Sequence, residues 1–350
     1  MNVTSVTVLI CTFNRARLLR ETLAALNAMA PANAFGIEII VVDNNSTDNT
    51  SLVVAEAARS FRVPVIALRE SRQGKSFALN RGLQAASGDV VALTDDDVWP
   101  DCQWLNRIVS AFRQRDITFV FGKVLPRWGG LPPPELLIPK AQEIWGPLAI
   151  VDYGDEPIEY LEETTTGQRL PIGANLAMAR QALVTIGGWR TDLGKVNNTL
   201  ISGEDHEIFM RLRRFSLYSG FYDPDIVVRH FVPAARLTRA YFRRWFFWHG
   251  KTQALMLDDL YPELEMARVP RVCGTPRFLL RQGIEQFGKW MHAMWRGDPL
   301  QTLIEELRSL DYAGFFAECW KQRRAPQTCR AHPTSTAHVR RKASPAQPMR

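Results

Sequence analysis

The N-terminal part of the chain alternates short apolar runs with amphipathic stretches. The stretches carry leucine, valine and alanine three or four residues apart, which is typical of helices packed on one side. Strands that alternate with helices predict parallel βαβ units, so the predicted fold class is α/β. The apolar runs predict four strands at Val6–Cys11, Ile37–Val42, Val63–Leu68 and Val90–Leu93.

The alternation continues less regularly to His230. The proline-rich segment Pro126–Pro134 cannot form a regular element and predicts a loop. The remaining pattern predicts a helix at Trp104–Phe112, a strand at Ile117–Gly122, a short strand within Pro171–Met178, a helix after Gly203-Glu204-Asp205, and a strand Ile226–Val228 that runs into His230.

After His230 the chain becomes helical, with basic and aromatic residues interleaved. Residues 237–256 could lie on an anionic membrane surface, or their aromatic side chains could pack against the preceding domain. Two further helices are predicted at Arg277–Trp295 and Gln301–Trp320, and the polar composition of residues 325–350 predicts a disordered basic tail. One face of the first helix would carry Leu237, Tyr241, Trp245, Trp248, Thr252 and Leu255.

The amino-acid composition and charge limit the kinds of protein that this chain could be. The 350 residues are 46% hydrophobic and 23% charged, as in ordinary globular proteins. The net charge is +7, but five basic residues lie in the acid-free segment 325–350, so the remainder carries +2, which argues against a nucleic-acid partner. The five cysteines show no metal spacing, and we see no signal peptide or spanning segment. These features predict a cytoplasmic protein.

Asp95, Asp96 and Asp97 follow a strand that reads as buried on both faces. Adjacent carboxylates repel each other unless solvent or a cation neutralises them. Oxygen ligands at a strand end suit Mg²⁺ or Mn²⁺, which commonly also bind a substrate phosphate. A solvated loop that caps the next helix is the alternative.

Other polar residues end neighbouring strands at the same predicted edge of the sheet. Asp43, which closes the second strand, could accept hydrogen bonds from a ribose or a base, or could cap a helix. Lys75 opens a helix, where it would suit a diphosphate or remain a solvated charge. Neither a Walker motif nor GxGxxG is present, which argues against NTP hydrolysis and dinucleotide redox chemistry.

Six ordered motifs between Val6 and His230 resemble those of family 2 glycosyltransferases. They are Thr12-Phe13-Asn14-Arg15, Val42–Asp48, Gly74-Lys75 with Asn80-Arg81-Gly82, Thr94–Asp97, Gly173-Ala174-Asn175 and Gly203-Glu204-Asp205. The resemblance implies a GT-A fold, with a Rossmann-like mixed sheet, over residues 1–230. Residues 1–122 would bind the nucleotide sugar, 123–230 the acceptor, and 231–324 would form a helical extension. It also implies inverting, hexosyltransferase-type transfer to a glycan or lipid-linked acceptor, as in polysaccharide or glycolipid synthesis.

The resemblance assigns roles residue by residue. The donor nucleotide would contact Thr12, Asn14, Arg15, Asp43, Asn45, Lys75, Asp95 and Asp96. A Mg²⁺ or Mn²⁺ ion would be bound by Asp97, Asp95 and, as a third candidate, His230. Asp205 would be the general base with support from Glu204, and the acceptor would meet Gly173, Asn175 and Trp189. Many relatives have Asp-Asp-Gly where this chain has Asp43-Asn44-Asn45, which leaves the nucleoside contacts open.

Structural alternatives stay open for several of these residues. His230 could be a buried structural histidine, Trp189 could belong to the core, and the two acids could only favour the first turn of their helix. Two other functions fit the same acidic residues: a metal-dependent sugar-phosphate nucleotidyltransferase, and a non-enzymatic membrane-attached binding module. A peripheral contact through 237–256 would place the protein at the inner face of the cytoplasmic membrane.

Overall fold

One mixed sheet organises the chain up to Val232. A computed structural model of the protein describes residues 2–29, 35–161, 171–196 and 199–324. Within them the sheet order is β3-β2-β1-β4-β8-β6-β9-β5, with β7 paired to β9. The strands are β1 (Ser5–Thr12), β2 (Gly36–Asp43), β3 (Val65–Arg69), β4 (Val90–Asp95), β5 (Val98–Pro100), β6 (Phe119–Trp128), β7 (Ile158–Leu161), β8 (Leu176–Ala179) and β9 (Ser219–Val232).

Helices connect these strands and form most of the C-terminal region. Six belong to the sheet-bearing part: α1 (Ala16–Asn27), α2 (Thr50–Ser60), α3 (Lys75–Ala85), α4 (Trp104–Gln114), α5 (Arg180–Thr185) and α6 (Glu204–Arg214). The C-terminal region contains α7 (Arg239–Leu255), α8 (Leu257–Leu260), the hairpin β10 (Arg271–Val272) and β11 (Thr275–Pro276), α9 (Arg277–Arg296) and α10 (Pro299–Arg324). The predicted α/β fold with a C-terminal helical extension is confirmed.

Strand register brings the predicted site residues to one edge of the sheet. The parallel pairing of β1 with β2 sets Thr12 opposite Asp43, and that of β1 with β4 sets Cys11 opposite Asp95. The antiparallel strand β8 ends its pairing with β4 at Leu93, so the preceding residues 173–175 arrive at the same edge. The pairing of β5 with β9 places His230 opposite Val98, next to Asp97.

Strand β6 corrects one prediction. Pro126, Arg127 and Trp128 were expected in a loop, but they continue β6 and pair in parallel with β9. Because β8 pairs only with Phe119–Phe121, the far half of β6 lacks β8 as a neighbour. A proline, which cannot donate to a ladder, is tolerated on such a half-open strand.

The buried side of α7 coincides only in part with the face grouped from the sequence, of which Leu237 and Thr252 are buried. Phe242 and Phe246 are buried, whereas Tyr241, Trp245 and Trp248 are only partly buried. The reason is the close packing of α10: a Cβ atom on Gly250 would lie 1.7 Å from the Asp311 carbonyl oxygen. The aromatic residues therefore face α10 and the 3₁₀ turns of residues 134–148. None of the six aromatic residues of α7 is exposed, so this helix has no open aromatic face for a membrane.

Candidate functional site

Thr12, the last residue of β1, and Arg15, three residues later, bind the aspartates that follow β4. The Thr12 hydroxyl donates a 2.8 Å hydrogen bond to Asp96 Oδ2. Arg15 Nη1 donates to Asp96 Oδ1 at 2.8 Å and to Asp97 Oδ2 at 2.6 Å. Burial raises the pKa of Asp96 to about 6; Arg15 opposes this shift and the Asp97 charge adds to it. Arg15 thus neutralises two carboxylates that would otherwise repel each other, and Thr12 helps to hold Asp96 in place.

Lys75 is the cation at the centre of the site. Its Nζ lies 3.3 Å from Asp95 Oδ1 and 3.4 Å from Glu204 Oε1. Burial alone would lower the pKa of Lys75, but Asp95, Asp205 and Glu204 raise it well above its usual value. Burial would raise the pKa of Asp95, but Lys75 and the nearby Lys195 lower it to about 2. Lys75 is therefore a permanent positive charge.

Asp205 lies in the same cleft. The cleft is lined by Cys11, Lys75, Leu79, Leu93, Thr94, Asp95, Gly173 and Asp205. Asp205 Oδ2 accepts a 2.8 Å hydrogen bond from the Gly173 backbone N–H, whereas its buried Oδ1 has no hydrogen-bond partner. One carboxylate oxygen is held by the backbone, and the other can accept a proton.

Asp97 and His230 form a candidate pair of metal ligands. Asp97 Oδ1 is buried without a hydrogen-bond partner and lies 3.5 Å from His230 Nε2. Two ligands that bind one ion at about 2.1 Å lie about 3 to 3.5 Å apart, so the pair fits a divalent cation. Burial lowers the pKa of His230, although Asp97 opposes this, so the imidazole tends to be neutral.

The predicted set of three metal ligands is not assembled. Asp95 pairs with Lys75 instead, because the ammonium group attracts its carboxylate. Within the described ranges, no three acidic, histidine or cysteine residues are grouped as ligands. A Mg²⁺ or Mn²⁺ ion held by Asp97 and His230 would complete its coordination with diphosphate oxygens and water, as such ions commonly do.

Asn14, Asp43 and Asn45 shape the loops at this edge of the sheet. Asn14 and Asn45 adopt positive φ angles of 52° and 68°, a conformation that asparagine tolerates. Asn14 Oδ1 accepts from the Thr47 N–H at 2.7 Å, Asp43 Oδ1 accepts from the Ser46 N–H at 2.8 Å, and Asn45 Oδ1 accepts from Arg69 at 3.0 Å. Each of the three has one side-chain oxygen engaged by the protein, and none of them is among the residues that line the cleft of Lys75 and Asp205.

Two predicted acceptor residues belong to the core instead. Asn175 is 1% exposed: its amide donates to the Lys123 and Ile226 carbonyls and accepts from Trp104 Nε1. Trp189 is 3% exposed, since the positive φ angles of Gly187 and Gly188 turn the chain inward. Neither side chain is presented to a sugar. Gly173 alone of the predicted acceptor residues lines the cleft.

We expect Asn175→Ala to lower stability without weakening donor binding. The truncation leaves Trp104 Nε1 and two buried carbonyls without partners, which costs about 2 to 4 kcal/mol. Urea unfolding measures the loss. Asn106→Ala, which removes only a bond to the exposed Gln103, should change stability by less than about 0.5 kcal/mol. If Asn175→Ala left stability unchanged and raised the KM for the acceptor, Asn175 would be an acceptor-binding residue and not a structural one.

Two residues with clear structural roles, Asn44 and Lys195, were not among the predicted site residues. The buried Asn44 donates to the carbonyls of Glu70 and Arg72 and accepts from the Gly74 N–H at 2.8 Å, which fixes the loop that precedes Lys75. The Lys195 carbonyl accepts from the Lys75 N–H at 3.1 Å, and its side chain adds a second positive charge near Asp95. The Asn-Asn pair after β2 was the one visible sequence signal, and it does not show which contacts form.

Comparisons with known proteins agree with this geometry. Residues 7–136 match the model of glycosyl transferase family 2. An uncharacterized glycosyltransferase of Nostoc sp. strain PCC 7120 is 35% identical over 116 residues, which cover 33% of this chain and 35% of that protein. A glucosyl-dolichyl phosphate glucuronosyltransferase of Haloferax volcanii is 23% identical over 74% of this chain and 79% of its own length.

A solved structure extends the likeness beyond the matched segment. It is a mannosyltransferase from Pyrobaculum calidifontis in complex with GDP-Man and Mn²⁺. The structures superpose with a TM-score of 0.57 at 20% identity, over 91% of this chain and 87% of that one. At this identity the likeness shows the shared GT-A fold.

Proposed function

This chain belongs to glycosyl transferase family 2, and we propose that it transfers a hexose from a nucleoside diphosphate to an acceptor hydroxyl with inversion at the anomeric carbon. The observation that carries the proposal is the position of Asp205. Asp205 lines the same cleft as Lys75 and Asp95, at the carboxyl end of β4, and its Oδ1 has no hydrogen-bond partner. A base and a fixed cation in one cleft suit attack on one face of a sugar and departure of a phosphate from the other.

Lys75 stabilises the diphosphate leaving group. Negative charge grows on the diphosphate oxygens as the glycosidic bond breaks, and a preorganised cation stabilises that charge. Lys75 is held by Asp95 and Glu204, so it is positioned before the donor arrives. Glu204 supports this cation, while Asp205 remains available as the base.

Asp97 and His230 fit a divalent ion, which would supply Lewis-acid stabilisation of the same diphosphate. The support is the unpaired Asp97 Oδ1 beside His230 Nε2 and the oxygen-rich character of the edge. Arg15 occupies the other carboxylate oxygen of Asp97, so this aspartate would bind the ion through a single oxygen. The arginine keeps that carboxylate oriented.

On the acceptor side, Asp205 removes the proton of the attacking hydroxyl. The backbone N–H of Gly173 orients the carboxylate, and a Cβ atom at Gly173 would come within 2.9 Å of Asp205 Oδ1. A side chain there would crowd the oxygen that must meet the acceptor. The name of the Haloferax relative includes a lipid-linked sugar, which supports a lipid-linked or other glycan acceptor here.

Product analysis tests the proposal. Thermal-shift screening with nucleotide sugars and Mn²⁺ or Mg²⁺ first selects the donor, and the products of turnover are then separated. We expect one nucleoside diphosphate for each sugar transferred and an inverted anomeric configuration by NMR. Release of pyrophosphate from a nucleoside triphosphate and a sugar phosphate would instead show a nucleotidyltransferase. A retained configuration would refute inversion.

A further inference from the structure

Helix α9 exposes a stripe of large apolar side chains. The exposed fractions are 65% for Ile284, 51% for Phe287, 48% for Met291, 42% for Met294 and 83% for Trp295. These residues follow one another at spacings of three or four, apart from the adjacent pair at the end, so they share one face of the helix. Single exposed apolar residues are ordinary, but a continuous stripe marks an interaction surface.

The side of α9 next to the stripe is fixed to α10. Leu279, Gly283, Gln286 and Ala293 are buried there. Gln286 donates to Glu305 Oε2 at 2.6 Å, and a Cβ atom on Gly283 would lie 2.5 Å from the Phe316 ring. Rotation of the helix would break this packing. The apolar stripe therefore cannot turn inward and stays available to a partner.

Basic side chains flank the stripe. Arg277, Arg281, Lys289 and Arg296 are all exposed on α9, against a single acid, Glu285, which is bonded to Arg281 at 2.8 Å. At 100° per residue these cations lie on the polar side that adjoins the stripe. An apolar stripe beside a cationic face complements an anionic lipid surface, with apolar groups at the acyl boundary and cations among the headgroups.

We propose that α9 docks the protein on the surface of an anionic lipid bilayer, with the helix axis in the membrane plane. No helix among the described residues is long and apolar enough to cross a bilayer, so this contact would be peripheral. A second copy of the chain fits less well. A two-fold contact through the same face would bring the cations of one α9 against those of the other. The proposal concerns a surface separate from the cleft and does not depend on the reaction.

Vesicle cosedimentation of the full chain tests it. We expect binding to phosphatidylcholine vesicles with about 30% phosphatidylglycerol, and at least about tenfold weaker binding to phosphatidylcholine alone. The triple variant Phe287→Ser, Met291→Ser and Trp295→Ser should bind at least about tenfold more weakly. Loss of the Lys289 charge in Lys289→Gln should weaken binding about fivefold, the equivalent of about 1 kcal/mol. A matched triple variant, Leu52→Ser, Leu131→Ser and Val184→Ser, removes exposed apolar residues elsewhere and should bind normally.

Other occupants of the stripe give different outcomes. Equal vesicle binding by the α9 triple variant and the unaltered chain would overturn the proposal. If vesicle binding were lost only on deletion of residues 325–350, the tail and not α9 would be the membrane-binding segment. A lipid-free dimer that the α9 triple variant abolishes, seen by sedimentation velocity, would make the stripe a self-association surface. Circular dichroism of each variant verifies folding, and unchanged product formation in detergent-free solution separates this test from that of the reaction.

Discussion

Asp205→Asn is expected to lower kcat by about 10²- to 10⁴-fold, the usual contribution of a general base, while the Kd of the donor changes by less than about threefold. The asparagine carbonyl can still accept the Gly173 N–H, so the local geometry survives. The amide nitrogen cannot accept the proton of the acceptor hydroxyl. Steady-state kinetics measure the first quantity, and calorimetry with the donor measures the second.

Glu204→Gln is the matched comparison for the adjacent acid. Glu204 pairs with Lys75 rather than with an open site, so its loss should weaken donor binding more than it slows turnover. Asp258→Asn changes an exposed acid on α8 and should affect neither quantity. Normal turnover in Asp205→Asn, with loss of turnover in Glu204→Gln, would transfer the base role to Glu204.

Asp97→Asn is expected to remove the effect of divalent metal on donor binding. Mn²⁺ should strengthen binding of the nucleoside diphosphate to the unaltered protein by about 100-fold, and EDTA should reverse this. The physical reason is the unpaired Asp97 Oδ1, 3.5 Å from His230 Nε2. Calorimetry with and without Mn²⁺ gives the two affinities.

Because Asp97 also pairs with Arg15, Asp97→Asn could lose metal binding through misfolding alone. A second variant is therefore needed as a control. His230→Gln leaves that ion pair intact and removes only the imidazole. It should reduce the Mn²⁺ effect in a protein whose thermal midpoint stays close to normal. An undiminished Mn²⁺ effect in both folded variants would contradict a metal bound at this pair.

Local pattern was sufficient to predict β1 to β4 and the edge at which they end. Val90–Leu93 reads as a buried strand because four apolar residues follow one another, and its parallel pairing puts Asp95 beside Cys11. The meeting of β1, β2 and β4 at one edge follows from parallel βαβ connections. The position of Asp205 needed more than pattern. It reaches the cleft because β8 runs antiparallel to β4 and brings Gly173 within hydrogen-bond distance.

The errors all concern contacts that residues distant in the chain decide. Nothing near Asn175 indicates that the Trp104 indole will donate to its amide across 71 positions. The sequence does not show which side of α7 is buried, because Gly250 and Gly314 let two helices approach closely and a helical wheel of one helix cannot reveal this. Which apolar residues of α9 stay exposed likewise depends on α10, which covers the neighbouring side of that helix.

A crystal structure with Mn²⁺ and the nucleoside diphosphate that most stabilises the protein tests most directly whether these charged residues share one donor site. We predict an anomalous peak for Mn²⁺ about 2.1 Å from Asp97 and a diphosphate in contact with Lys75 Nζ. Asp205 should face the open end of the same cleft. A diphosphate bound elsewhere, with Lys75 and Asp97 both out of its reach, would contradict the account.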